Sequence, residues 1–185
     1  MSNIGILGTG NMAAGLGAGW RAAGHRVLAG GRSGPVSLAE AGRFGDVTLL
    51  AVPATAVVEV LAHVPTGGLV IDCTNLVTPD GVGHPYAAAV AARPDLRVVK
   101  AFNLCHESAW RLPSRVFGGR PLAVPMRGPP DAVARVAPLA ADLGCTPFDA
   151  GGPERAALLE ATAAFAIGLW FAGLDAQAVL TPPLG

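Results

Sequence analysis

The sequence predicts an α/β domain: a doubly wound parallel sheet with helices on both faces, a shortened second crossover and a long C-terminal helix. Three observations predict it. Short runs that are apolar on both faces, such as Val47–Val52 (VTLLAV), alternate with helical stretches, as strands covered on both sides require. A glycine-rich turn, Gly8-Thr9-Gly10, joins the first run directly to the first helix. The length, 185 residues, suits one domain of ordinary size.

Taken in order, Asn3–Leu7 is a strand and Asn11–Ala23 a helix that stops at Gly24, a residue free to end a helix in the left-handed conformation. His25–Ala29 is the second strand. Between Arg32 and Asp46 there is room only for a brief extended piece, Pro35-Val36-Ser37, and about two helical turns, Leu38–Phe44, so that edge of the sheet is expected to be abbreviated. Val47–Val52 is the third strand, and Pro53–Val64 a helix with proline in its first turn. Leu69–Asp72 and Val98–Phe102 are further strands, with a loop rich in proline and glycine, Pro79–Pro85, between them. Pro121–Met126 is a strand, Pro129–Leu143 a helix, and Thr146–Asp149 a last strand. A long helix from Pro153 to about Gly173 completes the pattern. No repeat or linker divides the chain into two domains.

Composition narrows the function. The chain is 51% hydrophobic but only 5% aromatic and 14% charged, with 35 alanines and 25 glycines, so the interior is built from small side chains. Such a balance excludes a disordered chain. Thirteen basic residues match thirteen acidic ones, without the basic excess of a nucleic-acid binder. Cys73, Cys105 and Cys145 form no CxxC pair and no His–Cys cluster, so no metal is expected and the thiols should be reduced. The start, Met1-Ser2-Asn3, shows no leader pattern, and the apolar stretch Ala161–Leu174 is shorter than the roughly 18–20 residues needed to cross a bilayer. A soluble, cytoplasmic protein without membrane contact is expected.

Gly8-Thr9-Gly10-Asn11-Met12-Ala13 reads as GxGxxA between a strand and a helix. Gly8 permits the tight turn, Gly10 lets a pyrophosphate approach the backbone, and Ala13 allows close packing of helix on strand. The phosphates would meet the N–H groups at the helix N-terminus. An NAD site would place an acid after the second strand. Here Gly31, Arg32 and Ser33 stand there instead, a guanidinium and a hydroxyl suited to a 2′-phosphate, so NADP(H) is favoured. Ala51-Val52-Pro53, Asn75, and Ala101 with Asn103 should lie along the carboxyl edge of the sheet, where ligands bind in such folds. Asp72 and Thr74 either join that edge or cap the segment after it.

Together GILGTGNMAAGL, GGRS, LLAVP, VIDCTN and VVKAFN, with Gly144–Gly151 and Glu154-Arg155-Ala156 near the end, resemble the NADP-dependent deazaflavin (coenzyme F420) oxidoreductase family. The resemblance implies a compact Rossmann-type domain over residues 1–150. It also implies a homodimer formed through the C-terminal helix and tail of residues 151–185, and direct hydride transfer between NADP(H) and a second ligand, with a deazaflavin as co-substrate. The pair after the second strand departs from the family's usual Ser-Arg order, with Gly31-Arg32 followed by Ser33, and Gly34–Leu38 holds no further basic residue.

Three functions remain open on the residues alone. A deazaflavin or similar flat acceptor needs stacking geometry rather than a strong acid or base. A small imine, enamine or carbonyl would need a proton donor, for which His106 is the best candidate and His84 a weaker one. An NADP(H)-binding sensor or subunit would need neither. His25 and His63 read as structural, and Cys73 and Cys105 as packing residues. The segment Ala156–Leu174 is apolar almost all round, so a helix there needs cover on every side, which a second subunit of a two-fold dimer would supply.

Overall fold

The computed structural model describes residues 1–32, 36–78 and 81–176. Five parallel strands form the central sheet: β1 (Asn3–Leu7), β2 (Arg26–Gly30), β3 (Val47–Leu50), β4 (Leu69–Asp72) and, after a β5–β6 hairpin (Leu76–Thr78 and Gly81–Gly83), β7 (Arg97–Lys100). Their spatial order is β2-β1-β3-β4-β7. The chain therefore leaves β1 toward one edge and returns to its other side at β3. That reversal opens a crevice at the carboxyl ends of β1 and β3, the switch point at which doubly wound sheets bind ligands.

Side chains alternate across the sheet as its period of two demands. Ile4, Ile6, Leu49, Leu69, Ile71 and Val99 face a core shared with helices α1 (Asn11–Ala22) and α5 (Pro130–Ala141). Leu7, Leu50, Val70 and Val98 face a second core with α2 (Leu38–Phe44), α3 (Val57–Val60) and α4 (Pro85–Ala92). Helix α2 is as short as its sequence suggested and begins with a capping box: Ser37 Oγ accepts from the Glu40 N–H, and the Glu40 carboxylate accepts from the Ser37 N–H at 2.8 Å. β2 forms the sheet edge on this side, which is the expected abbreviation.

The single helix expected over Pro53–Val64 is instead a chain of short turns: a 3₁₀ turn at Ala54–Ala56, the one-turn α3, and a second 3₁₀ turn at Leu61–His63. Val57, Val58, Val60 and Val64 crowd their χ1 rotamers in a regular helix, and burial of Val57, Val60, Leu61 and Val64 on the sheet is met equally well by a broken one. The strands also stop earlier than read: β3 at Leu50 and β7 at Lys100, so the residues after them are loops over the crevice. The β5–β6 hairpin lies where a plain loop was expected. A two-residue ribbon, β8–β9 (Val116–Phe117 and Arg120–Pro121), precedes β10 (Ala123–Met126), which pairs in parallel with β11 (Thr146–Asp149). This pair joins the main sheet through an antiparallel bridge between Lys100 and Arg127. Helix α6 (Arg155–Phe171) follows and packs on the hairpin and α4.

Candidate functional site

At the β1–α1 turn Gly8 takes φ +125°, and a Cβ there would lie 2.1 Å from the Ala51 carbonyl oxygen. Any side chain would push the turn off β3. Gly10 differs: no atom lies within 4 Å of where its Cβ would be, and α1 opens at Gly10 with no side-chain cap. The N–H groups of the first helical turn lack intrahelical acceptors and face this open space. That is a cradle for an anion, and the residues present fit a pyrophosphate.

Two lobes meet over this turn and share Gly10, Ala51 and Val52. One, of about 340 Å³, is lined by Gly8, Thr9, Gly31, Arg32 and Pro53, with Arg32 exposed on its wall. The other, of about 490 Å³, is lined by Asn11, Met12, Asn75, Asn103 and His106, with Cys73, Thr74, Leu104, Cys105 and the α6 residues Ala163, Ile167, Trp170 and Phe171. Ala13 and Ala101 are buried beneath the cleft rather than on its wall, Ala13 on the buried face of α1 and Ala101 just beyond the end of β7. Ser33 lies outside the described residues. Asn11 and Glu107 both line the larger lobe and are joined: Asn11 Nδ2 donates to Glu107 Oε1 at 3.2 Å and its Oδ1 accepts from Arg111, tying α1 to the 3₁₀ turn Glu107–Arg111.

The floor of the larger lobe is set by a backbone kink. Phe102 takes φ +63°, unusual for a non-glycine residue, and is gripped edge-to-face by Trp20 and Trp110 with ring centroids 5.8 and 5.4 Å away. The kink brings Asn103 beside Asn75. Asn75 Nδ2 donates to the Asn103 carbonyl at 2.8 Å, and Asn103 Nδ2 donates to Asn75 Oδ1 at 3.0 Å and to the Leu159 carbonyl at 3.1 Å. Two acceptors on one side fix the amide, leaving Asn103 Oδ1 buried with no hydrogen-bond partner among the described residues.

His106 stands on the lobe wall. Its Nδ1 accepts from the Ser108 N–H at 3.3 Å and lies 2.8 Å from Ser108 Oγ, so the neutral ring carries its proton on Nε2. The ring meets Trp170 edge-on, centroids 5.3 Å apart. His84 is elsewhere: its Nδ1 lies 3.1 Å from Glu160 Oε2. His25 bridges the Ser2 N–H and Asp142, a structural role as read. Cys73 and Cys105 both line the lobe as protonated thiols. Burial, with Asp72 adding to it, pushes Cys73 up to about 12, and burial pushes Cys105 up to about 11. Cys73 Sγ donates to the Leu50 carbonyl at 3.1 Å.

Behind the floor lies a cluster that the sequence did not announce. Lys100 Nζ, fully buried, sits 3.1 Å from Asp72 Oδ2 and 2.9 Å from Glu160 Oε1, and donates to the Thr74 carbonyl. Asp72 Oδ1 accepts from the Thr74 N–H at 2.8 Å and hydroxyl at 2.7 Å, the local capping role. Glu160 Oε1 also accepts from the Tyr86 N–H at 3.0 Å. Lys100 and Glu160 are 60 residues apart in a regular apolar pattern. Asp72 and Lys100 stood in the quoted VIDCTN and VVKAFN runs and Glu160 was a lone acid within a mostly apolar helix, but nothing in the sequence paired them.

Among the described residues no group of histidine, cysteine and acidic side chains could hold a metal ion, and no helix is long and apolar enough to cross a membrane.

The fold and its open glycine turn define a Rossmann-type domain of the kind that binds dinucleotides. Residues 3–41, the segment holding the phosphate turn and Arg32, match the model of the family described as NADP oxidoreductase, coenzyme F420-dependent, so the family resemblance holds over the cofactor-binding segment. Among solved structures the chain is similar to a protein of Arthrobacter sp. FB24 provisionally named an F420-dependent NADP-reductase (TM-score 0.80, 22% identity, 94% of this chain and 96% of that one). It is also similar to a hypothetical protein of Sinorhizobium meliloti (TM-score 0.72, 24% identity, 88% of each chain). A reductive aminase of Aspergillus terreus, solved with NADPH4, cyclohexanone and allyl amine, shares the fold over 100% of this chain and 67% of its own (TM-score 0.66, 18% identity). No curated protein matches the sequence.

Proposed function

We propose that the chain transfers a hydride between NADP(H) and a flat ring of the deazaflavin type. The observation that carries this reading is the wall of the larger lobe. It is mostly apolar and aromatic, and besides two protonated thiols its titratable side chains are His106 and Glu107. When bound, NADPH supplies the hydride and a second ring accepts it.

The chain's own part is placement and exclusion of water. Gly8 to Met12 would hold the pyrophosphate with Ala13 packed beneath them, Gly31, Arg32 and Ser33 would meet the 2′-phosphate, and Ala51, Val52 and Pro53 would run along the dinucleotide. Asn75 and Asn103, locked to each other, would present a fixed floor to the nicotinamide, with Ala101 beneath it. Ile167, Trp170 and Phe171 of α6 would cover the reacting faces. Mixing protein, NADPH and oxidised deazaflavin should bleach the deazaflavin band. An unchanged band at millimolar NADPH refutes the reading.

A second reading is favoured by the His106 tautomer. An Nε2–H on the wall of the lobe is a proton donor for an imine, enamine or carbonyl. Turnover of such a substrate by wild type, lost in His106→Ala, would support it, and undiminished turnover would remove the donor. A non-catalytic NADP(H) sensor is the outcome if NADPH binds tightly and no acceptor on a broad panel turns over.

The proposal includes a cytoplasmic homodimer built on α6. Leu158 and Phe165 are exposed on the side of α6 away from Glu160, and Trp170, Phe171 and, past the helix, Leu174 are exposed at its C-terminal end, Phe171 at 86%. Exposed apolar patches of this kind mark interfaces. Light scattering at micromolar protein should give twice the chain mass, and a monomer mass refutes it.

A further inference from the structure

Helix α6 supplies the cover of the larger lobe, yet its composition does not say which way it should face. Large apolar side chains lie on every side, from Leu158 and Leu159 to Phe165, Ile167 and Trp170. Rotating such a helix exchanges one apolar face for another at little cost in burial, since hydrophobic attraction is not directional. Something else must set the angle.

Glu160 is the one charged residue between Arg155 and the end of the helix, and it is 1% exposed. A buried carboxylate is costly, and an alanine or leucine would pack there as well. Three groups converge on it: Lys100 at the end of β7, the Tyr86 N–H in the first turn of α4, and His84 at the N-cap of that helix. Residues three, seven and ten positions further on, Ala163, Ile167 and Trp170, fall on the same helical stripe. With Phe171, which falls on the same stripe, those are the α6 residues that line the lobe, and Trp170 touches His106. The anchor and the cover share one face.

We infer that Glu160 is a positioning residue: held by Lys100, Tyr86 and His84, it sets the rotation of α6 that turns Ile167 and Trp170 over the reaction cleft. Buried polar groups that fix register in this way are a known use of an otherwise costly contact. The inference deepens the reading of the lobe as the place where cofactor and acceptor meet, and rests on it.

The test uses protein labelled with 5-fluorotryptophan. Its three tryptophans give three fluorine signals, and Trp170→Phe identifies the one from the helix. In Glu160→Ala, which leaves Lys100 paired with Asp72, the Trp170 signal should split or broaden while those of Trp20 and Trp110 stay. The KM for the acceptor should rise about tenfold, the scale expected of a displaced wall, with the NADPH Kd changed less than about twofold. Glu160→Gln keeps the length, an oxygen for Lys100 and Tyr86, and an N–H for His84, so it should restore both readouts. A sharp wild-type Trp170 signal in Glu160→Ala overturns the inference, and so does a Glu160→Gln variant as disturbed as Glu160→Ala. If Glu160→Ala shows no cooperative thermal transition, Asp72→Asn/Lys100→Met/Glu160→Leu, free of buried charge, takes its place with the same two expectations. The fluorine signals are read without any acceptor, so failure of the deazaflavin assay and failure of the anchor are told apart.

Discussion

Replacing Lys100 by methionine removes the one cation from a dry cluster that holds two carboxylates. Its side chain is 0% exposed, as is that of Asp72, and Glu160 is at 1%. Methionine fills much of the lysine stem's volume, so cavity formation contributes little. What remains is electrostatic. Asp72 keeps the Thr74 N–H and hydroxyl, and Glu160 keeps the Tyr86 N–H and the His84 contact, but neither keeps an opposite charge within the core. Deleting one partner of a buried pair costs about 3–5 kcal/mol. At about 2–4 °C per kcal/mol for a domain of this size, the thermal midpoint should fall by about 6–20 °C. Circular dichroism melts at pH 7 and urea titrations with an unchanged m-value measure it. Adding Asp72→Asn and Glu160→Leu should recover most of the loss, because the burden lies in the uncompensated charges. A loss below about 1 kcal/mol for Lys100→Met alone, the range of exposed pairs, would refute the reasoning by showing that water reaches the cluster.

Other consequences follow from the cleft. Gly8→Ala places a methyl 2.1 Å from the Ala51 oxygen at φ +125°, so isothermal titration should find NADPH binding weakened at least about tenfold, with a loss of at least about 1–3 kcal/mol in stability. Arg32→Ala should lower NADPH affinity by about tenfold or more, the worth of a charge-assisted hydrogen bond, while NADH affinity moves little; equal losses for both would detach Arg32 from the 2′-phosphate. Cys73 and Cys105, held up to about 12 and about 11 by burial, should react with a disulfide reagent at pH 8 far more slowly than in the urea-unfolded chain. The linked stability has a definite sign. Between about pH 9 and 12 the unfolded thiols ionise while the folded ones keep their protons, so stability should decline as pH rises through that window. A denaturation midpoint flat from pH 8 to 10.5 would contradict it.

Much of this protein was legible in its sequence because the relevant physics is local. The alternation of apolar runs and helical stretches specifies a covered parallel sheet. Gly8 and Gly10 specify a tight, open turn where the first strand meets the helix, and Arg32 in place of an acid is the residue that favours NADP(H) on the sequence. These depend on neighbours a few residues away. The breaks in the expected Pro53–Val64 helix and the β5–β6 hairpin did not show, because burial on the sheet, not propensity, chose between near-equal local forms.

The cleft behind the turn depends on distant partners. Phe102 holds a left-handed conformation with its ring clasped by Trp20 and Trp110, and the residue after that kink, Asn103, bonds Asn75 across 28 residues. Lys100 looks like any strand-end lysine until Asp72 and Glu160 surround it. An all-apolar helix announces burial but no direction, and its orientation is decided where Glu160 meets charges from other elements. Sequence alone determined the fold and the cofactor turn, since both follow from periodicity and backbone freedom. Tertiary structure alone decided what lines the cleft beside that turn, since charge pairing and ring contacts act between residues that only folding brings together.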